Sequence, residues 1–372
     1  MLRTEETRSQ HPYFMHEMIL EQPNALYETL ELCKRQATEI TSLWEGATKL
    51  ITTGCGTSFH AALASANVFY SLFQRTNVEA IQSFELKHYY NSLNSSTVVI
   101  GFSHTGATKT TVDSLQRAIG SGARTVALTG VSGSAITKLS GRHLVVGNGL
   151  EKSRAHTKSY TSSVLAAIYL GAQYLKSEAS NSSAEALLEQ VNEITEYVHS
   201  TIKLNEKKIA ELASSLGRKT KRTFILGAGP NHATALEAAL KMKETSYSSA
   251  EGMETEQFLH GPWVSLTNDS IVFVLVPQGP SKERNMDLLK ALKNLGVKTV
   301  AITDDKRIVE SASDSIYVPD VREELTPLVY IVPLQLYAYY VAIESGLNPD
   351  FIHYDDPKFW ASRQIIFPPG TH

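Results

Sequence analysis

The chain has 372 residues, 42% of them hydrophobic and 20% charged, enough apolar material to fill the cores of two ordinary domains. Its formal net charge of -3, with no block of like charges, offers nucleic acid no electrostatic invitation. Two cysteines, Cys33 and Cys55, imply a reducing, cytoplasmic setting rather than a disulfide scaffold; no His/Cys/Asp cluster has metal-ligand spacing; and no apolar run reaches the ~18 residues of a bilayer span.

The polar start MLRTEETRSQ lacks the apolar centre of a signal peptide. A leading segment, 1–37, is predicted to hold a helix over 15–35. A β-branched run at 50–53 then ends in the turn Gly54-Cys55-Gly56-Thr57-Ser58, ahead of an alanine-rich helix. A second apolar run, 98–102, ends in Ser103-His104-Thr105-Gly106-Ala107-Thr108, which opens another helix. A third, 125–128, ends at Thr129, and a fourth is 144–146. A mostly helical linker follows at 180–208, and the rhythm then returns with runs at 224–226, 271–276, 299–302 and 315–318.

The return is a repeat. LITTGCGTSFHAAL matches TFILGAGPNHATAL, with Gly54 opposite Gly227 at an offset of 173. Val98 meets Ile271 and Gly106 meets Gly279 at the same offset, and Thr125 meets Thr299 at 174. Ordered matches at a nearly constant offset indicate duplication. Apolar runs alternating with helices predict parallel sheets covered on both faces. The expected fold is therefore α/β: two duplicated, doubly wound (flavodoxin-like) domains, 38–179 and 209–344, with a tail at 345–372. Ligands in such sheets bind beyond the carboxyl ends of the strands at the switch point. That gathers 54–58, 103–108 and Thr129 around one crevice.

The residue types there suit an anion. Helix-opening amides with Ser103, Thr105 and Thr108 hydroxyls make a phosphate cradle, and three hydroxyls exceed what capping a helix needs. The second copy reads Val276-Pro277-Gln278-Gly279-Pro280-Ser281 and has lost most of them. Cys55 reads as a small residue at a tight turn rather than a nucleophile. In the second copy, Glu237, Lys241 and Glu244 share one helical face at i, i+4 and i+7. That face is either a solvated ion-pair stripe or a proton-transfer site. The segment 250–262 carries Glu251, Glu254, Glu256 and His260 and is a further acid/base candidate.

The motifs GCGTS, SHTGAT, EKSRAHTKSYT, ALEAALKMKETSY, EQFLHGP and LTPLVYIVPLQLYAYYVAIESGLNPD, in this order, resemble the sugar isomerase (SIS) superfamily. Within it the chain is similar to the isomerase half of glucosamine-6-phosphate synthases and to the freestanding deaminases and deglycases related to them. The resemblance implies that Ser103, His104 (through its backbone), Thr105 and Thr108 hold a substrate phosphate, with Ser58 nearby. It implies that Cys55, Gly56 and Thr57 line the sugar. Glu244 would be the base moving a proton between carbons 1 and 2, Lys241 would position substrate, and His260 would assist ring opening from the neighbouring subunit of a homodimer. No cofactor or metal is implied.

Three departures shape the expected reaction. No glutaminase half precedes the leading helix, so glutamine-dependent synthesis by this chain alone is not expected. His104 stands where the family pattern, close to SQSGET, has glutamine. The tail aligned on Asp356-Pro357 puts Ser362, after Ala361, where the synthase has its imine-forming lysine, and Lys358 is out of register. The first expectation is a deaminase converting glucosamine 6-phosphate to fructose 6-phosphate and ammonia. The alternatives are a fructosamine-6-phosphate deglycase, an aldose–ketose phosphate isomerase, or a non-catalytic sugar-phosphate sensor.

Overall fold

The structure, a computed structural model, describes residues 7–73, 76–178, 181–217 and 219–368. The start of the leading segment (1–6), the junction at 179–180 and the last residues of the tail (369–372) lie outside the described residues.

Two helices lead, α1 (Phe14–Leu20) and α2 (Gln22–Thr41). The first half then runs β1 (Lys49–Thr53), α3 (Thr57–Leu72), β2 (Asn77–Ala80), α4 (Ser83–His88), β3 (Thr97–Phe102), α5 (Lys109–Gly120), β4 (Arg124–Thr129), α6 (Ala135–Leu139), β5 (Arg142–Val145) and α7 (Lys158–Glu178). Helices α8 (Ser182–Val191) and α9 (Ile194–Leu216) connect the halves. The second half repeats the order: β6 (Arg222–Leu226), α10 (Pro230–Ser246), β7 (Ala250–Met253), α11 (Thr255–Leu259), β8 (Ser270–Val276), α12 (Lys282–Asn294), β9 (Lys298–Thr303) and β10 (Asp314–Tyr317). It ends in α13 (Thr326–Val329), α14 (Ile331–Glu344) and, in the tail, α15 (Pro357–Ile366).

Both sheets are wholly parallel. Their orders are β2-β1-β3-β4-β5 and β7-β6-β8-β9-β10, the same winding twice. This is the flavodoxin-like order, with its switch point between the first and third strands of each half. The two edge strands β2 and β7 were not among the apolar runs read from the sequence. Each has four residues of mixed burial, so neither forms a continuous apolar run.

The central strands show why the duplication was legible. In β8, Ile271, Phe273 and Leu275 face one core while Val272, Val274 and Val276 face another. In β3, Val98, Ile100 and Phe102 join that same first core, and Val99 points the other way. A strand covered on both faces reads as a nearly continuous apolar run. Each such side chain stabilises the fold by about 1.5–3 kcal/mol when fully buried. The shared core lies between the sheets, where α3 packs on α7 and α10, and α10 packs on α14.

The stretch Glu323–Glu344 is long and apolar enough to cross a membrane, which corrects the sequence expectation that no run is. Most of it is buried in the shared core, with Tyr330, Ile331, Leu336 and Tyr339 fully enclosed. Its apolarity is that of a core helix. The tail returns to the leading helix: the Asp350 carboxylate accepts from the Phe14 and Met15 amides (2.9 and 2.8 Å), satisfying the open N-terminus of α1.

Candidate active site

The turn after β1 and the turn after β3 meet at the switch point of the first sheet. Gly56 precedes α3 with φ +56°, and its counterpart Gly229 precedes α10 with φ +55°. Left-handed backbone at both positions makes glycine a demand of the fold. The hydroxyls differ between the copies. Ser103 is buried, and its Oγ donates to Thr108 Oγ1 (3.3 Å). Thr105 Oγ1 accepts from the Ala107 amide (3.3 Å) and is otherwise exposed. Thr108 is the N-cap of α5, yet no side chain caps that helix, so the positive end of its dipole faces the loop. Ser58 sits in the first turn of α3, and the Cys55 thiol lies 3.7 Å from Thr111 Oγ1.

The equivalent crevice of the second copy is lined by acid. The Gln278 side-chain and backbone N–H groups donate to Asp304 (3.0 and 3.2 Å). The Glu323 carboxylate lies 3.2–3.5 Å from where side chains at Gly279 and Gly229 would begin. A cavity of about 480 Å³ there is lined by Asp320, Arg322, Glu323 and Glu324 among others. Burial raises both Asp304 and Glu323 above the usual carboxylate range. The N-terminus of α12 is likewise uncapped, but an anion there would meet these carboxylates, which the first copy's crevice lacks.

The charged face of α10 is not a solvated stripe. Glu237 and Lys241 are fully buried, and Glu244 keeps 23% of its side chain exposed. Lys241 Nζ bonds Glu244 Oε2 (2.5 Å), Glu237 Oε1 (3.2 Å) and Thr57 Oγ1 (3.1 Å). Thr57 in turn donates to Glu237 (3.0 Å), and His60 Nδ1 lies 2.7 Å from its other oxygen. The cluster thus bridges α3 of the first half and α10 of the second. At the same repeat positions α3 has Ala64, Val68 and Ser71, and α10 has Pro230 and Ala233 in place of Thr57 and His60. Each half supplies what the other lacks.

Burial raises Glu244 above the usual carboxylate range, and the Lys241 ammonium only partly offsets this. Burial acts on Glu237 in the same direction, but Lys241 and His60 outweigh it and hold its pKa down. Lys241 is buried too, yet its two carboxylates keep it charged.

The other candidates fall elsewhere in the protomer. Glu254 caps α11 by accepting from the Gln257 amide (2.9 Å), Glu256 pairs with Arg284, and Glu251 is exposed on edge strand β7. His260 is three-quarters exposed, and its Nδ1 bonds the Glu256 carbonyl (2.8 Å), not the Lys241–Glu244 pair. The acid/base reading of 250–262 therefore fails within one protomer. Ser362 and Lys358 are exposed on α15.

His104 contributes more than backbone. Its carbonyl accepts from the Gly130 amide (2.8 Å), and its ring Nε2 accepts from the Glu151 amide (3.3 Å). Burial lowers it to about 4, so the ring is neutral and serves as an acceptor. Its ring packs edge-on against His156 at 4.8 Å, and His156 lies within electrostatic reach of both Glu151 and Glu244. His60, Glu151 and His156 were not singled out from the sequence. The last two lie inside the EKSRAHTKSYT motif, which was the available signal.

These features define a duplicated, doubly wound α/β protein whose polar groups converge from both halves on the switch point of its first sheet. The chain belongs to the SIS domain family, which matches it over residues 44–170 and 218–345. The glutamine–fructose-6-phosphate aminotransferase (isomerizing) of Pyrococcus horikoshii is 33% identical over 341 residues, 91% of this chain and 56% of the relative. The chain thus spans just over half the length of such curated relatives. Among solved structures, the C-terminal domain of glucosamine-fructose-6-phosphate aminotransferase from Francisella tularensis aligns with a TM-score of 0.85 at 22% identity, over 93% of this chain and 99% of that one. Glucosamine-6-phosphate deaminase from Thermotoga maritima aligns at 0.72 and 21%, over 91% and 97%. At these identities the solved structures bear on the fold alone.

Proposed function

We propose that the protein is a phosphosugar isomerase of the deaminase type, converting glucosamine 6-phosphate and water to fructose 6-phosphate and ammonia. The observation that carries this reading is Glu244, a carboxylate of raised basicity with one oxygen clamped by Lys241 and part of its surface open. Glu244 takes the proton from C2 of the open-chain aminosugar and returns it to C1. The resulting C2 imine is hydrolysed, so the amine leaves as ammonia. A raised carboxylate is a better match to a carbon acid near neutrality. Donors for the developing oxyanion would come from the 54–58 turn, whose backbone amides open α3. The proposed division of labour gives phosphate capture to 38–179, through Ser103, His104, Thr105, Thr108 and Ser58, with Cys55, Gly56 and Thr57 along the sugar. Acid/base work belongs to 209–344. The two unpaired thiols, Cys33 and Cys55, fit the cytoplasmic setting proposed for it.

Purified protein given glucosamine 6-phosphate should release ammonia and fructose 6-phosphate in equal amounts. No release at high enzyme concentration rejects this substrate. Ser362, on an exposed helix in place of an imine-forming lysine, favours a second reading, the deglycase; faster turnover of fructoselysine 6-phosphate would select it. Replacing Ser103 and Thr108 by Ala and Val should weaken phosphosugar binding ~10–100-fold, the worth of hydrogen bonds to a charged group. Calorimetry showing unchanged affinity would place the phosphate elsewhere.

The exposed His260 is proposed to serve the partner's site in a homodimer. Mixing inactive Glu244→Gln and His260→Gln proteins should then restore about a quarter of wild-type activity, because half the re-formed dimers carry one intact site. No restoration after subunit exchange would return His260 to its own chain or to no role.

A further inference from the structure

The Lys241 ammonium is shared by two carboxylates, and one residue of the other half controls the sharing. Glu237 is fully buried, so every lone pair on it needs a donor. Its Oε1 takes Thr57 (3.0 Å) and Lys241 (3.2 Å), and its Oε2 takes His60 (2.7 Å). His60 lies one turn beyond Thr57 on α3, with 16% of its side chain exposed. His232, at the start of α10, lies within electrostatic reach of His60, and Glu254 faces His232. Glu244 is faced by Lys241, Glu237 and His156.

We propose that His60 is a positioning residue: by holding Glu237 it leaves the Lys241 ammonium free to lean on Glu244, and so sets how strong a base Glu244 is. The shorter of the two Lys241 contacts is the one to Glu244, 2.5 Å against 3.2 Å, as this sharing requires. Without the imidazole, Glu237 has lost its only donor on Oε2 among the described residues, and the neighbouring ammonium is the nearest replacement. Lys241 moves toward Glu237, Glu244 loses its closest positive charge, and its proton affinity rises. This rests on the proposed role of Glu244 as base, and it adds a residue of the first half as the control on that base.

The test compares His60→Leu, which deletes the donor, with His60→Asn, whose amide N–H stands near the place of Nδ1. In His60→Leu the acid limb of the pH–rate profile should move up by about one unit, which is a roughly tenfold lower rate on the acid side that converges with wild type at high pH. KM should change little, and His60→Asn should stay near wild type. A merely structural role would lower activity equally at every pH. Should His60→Leu not fold, His60→Ala carries the same expectation. The Glu244 midpoint can also be read without substrate, by carbon-13 NMR of labelled glutamate carboxyls with Glu244→Gln as the assignment. An unmoved or lowered midpoint in the deletion variant, or an asparagine variant no better than the leucine one, overturns the proposal. If no phosphorylated aminosugar is turned over, the functional reading fails, and the NMR midpoint still decides the role of His60.

Discussion

Glu244→Gln should lower turnover by about 10²–10⁴-fold and leave phosphosugar affinity within a few fold of wild type, the cost of deleting a positioned base. Glutamine keeps the volume and an oxygen for Lys241 Nζ, now at 2.5 Å from Oε2, so packing is preserved while proton transfer is lost. A non-catalytic sensor differs in turnover, not in binding: it predicts none before the change, and ligand held equally well after it. The wild-type profile carries a second check. Because burial holds the Glu244 pKa above the usual carboxylate range, activity should rise with pH through that raised value and fall away below it. An acid limb at or below the ordinary glutamate range would mean that another group is titrating. Single-turnover measurements separate this loss from slow product release.

Much of this arrangement was legible in the sequence, for identifiable reasons. The central strands are buried on both faces, so their apolar runs and the offset of 173 that repeats them survive as pattern. The edge strands β2 and β7 are short and half-exposed and leave no such trace. The spacing of Glu237, Lys241 and Glu244 was visible, but a solvated stripe has the same spacing. What separates the two is burial, and that comes from α3 and α14 packing on α10. The His60–Glu237 contact joins residues 177 positions apart and exists only once the halves are docked. In the acidic segment 250–262, Glu254 is engaged by the Gln257 amide and Glu256 by the Arg284 guanidinium, contacts that are set by the fold of α11 and α12 and leave no mark in the sequence. The contrast between the two crevices was readable as lost hydroxyls. That Glu323 lines the second one was not, since it lies far along the chain from both Gly229 and Gly279.

Lys241→Met should destabilise the protein by about 3–5 kcal/mol near pH 8, the cost of stranding buried charge when one partner of a pair is removed. Methionine matches lysine in length, so the loss is electrostatic more than steric. The pH dependence identifies it. In the wild type the folded-state pKa of Glu237 is depressed, so its contribution is present above the unfolded value and is lost as pH falls. In the variant, two carboxylates share a water-poor site with no ammonium between them, and at least one is pushed well above its unfolded value. A carboxyl raised on folding favours the protonated native state. Its stability is fully present below the unfolded pKa, about 4.3, and declines as pH rises through the folded one. The difference between wild type and variant should therefore shrink steadily as the pH is lowered from 8 toward 5. Urea unfolding at both values, with unchanged m, measures it. A penalty equal at the two pH values would mean that Lys241 acts through packing, and the Glu237–Lys241–Glu244 set would then lose its standing as a charge-balanced unit.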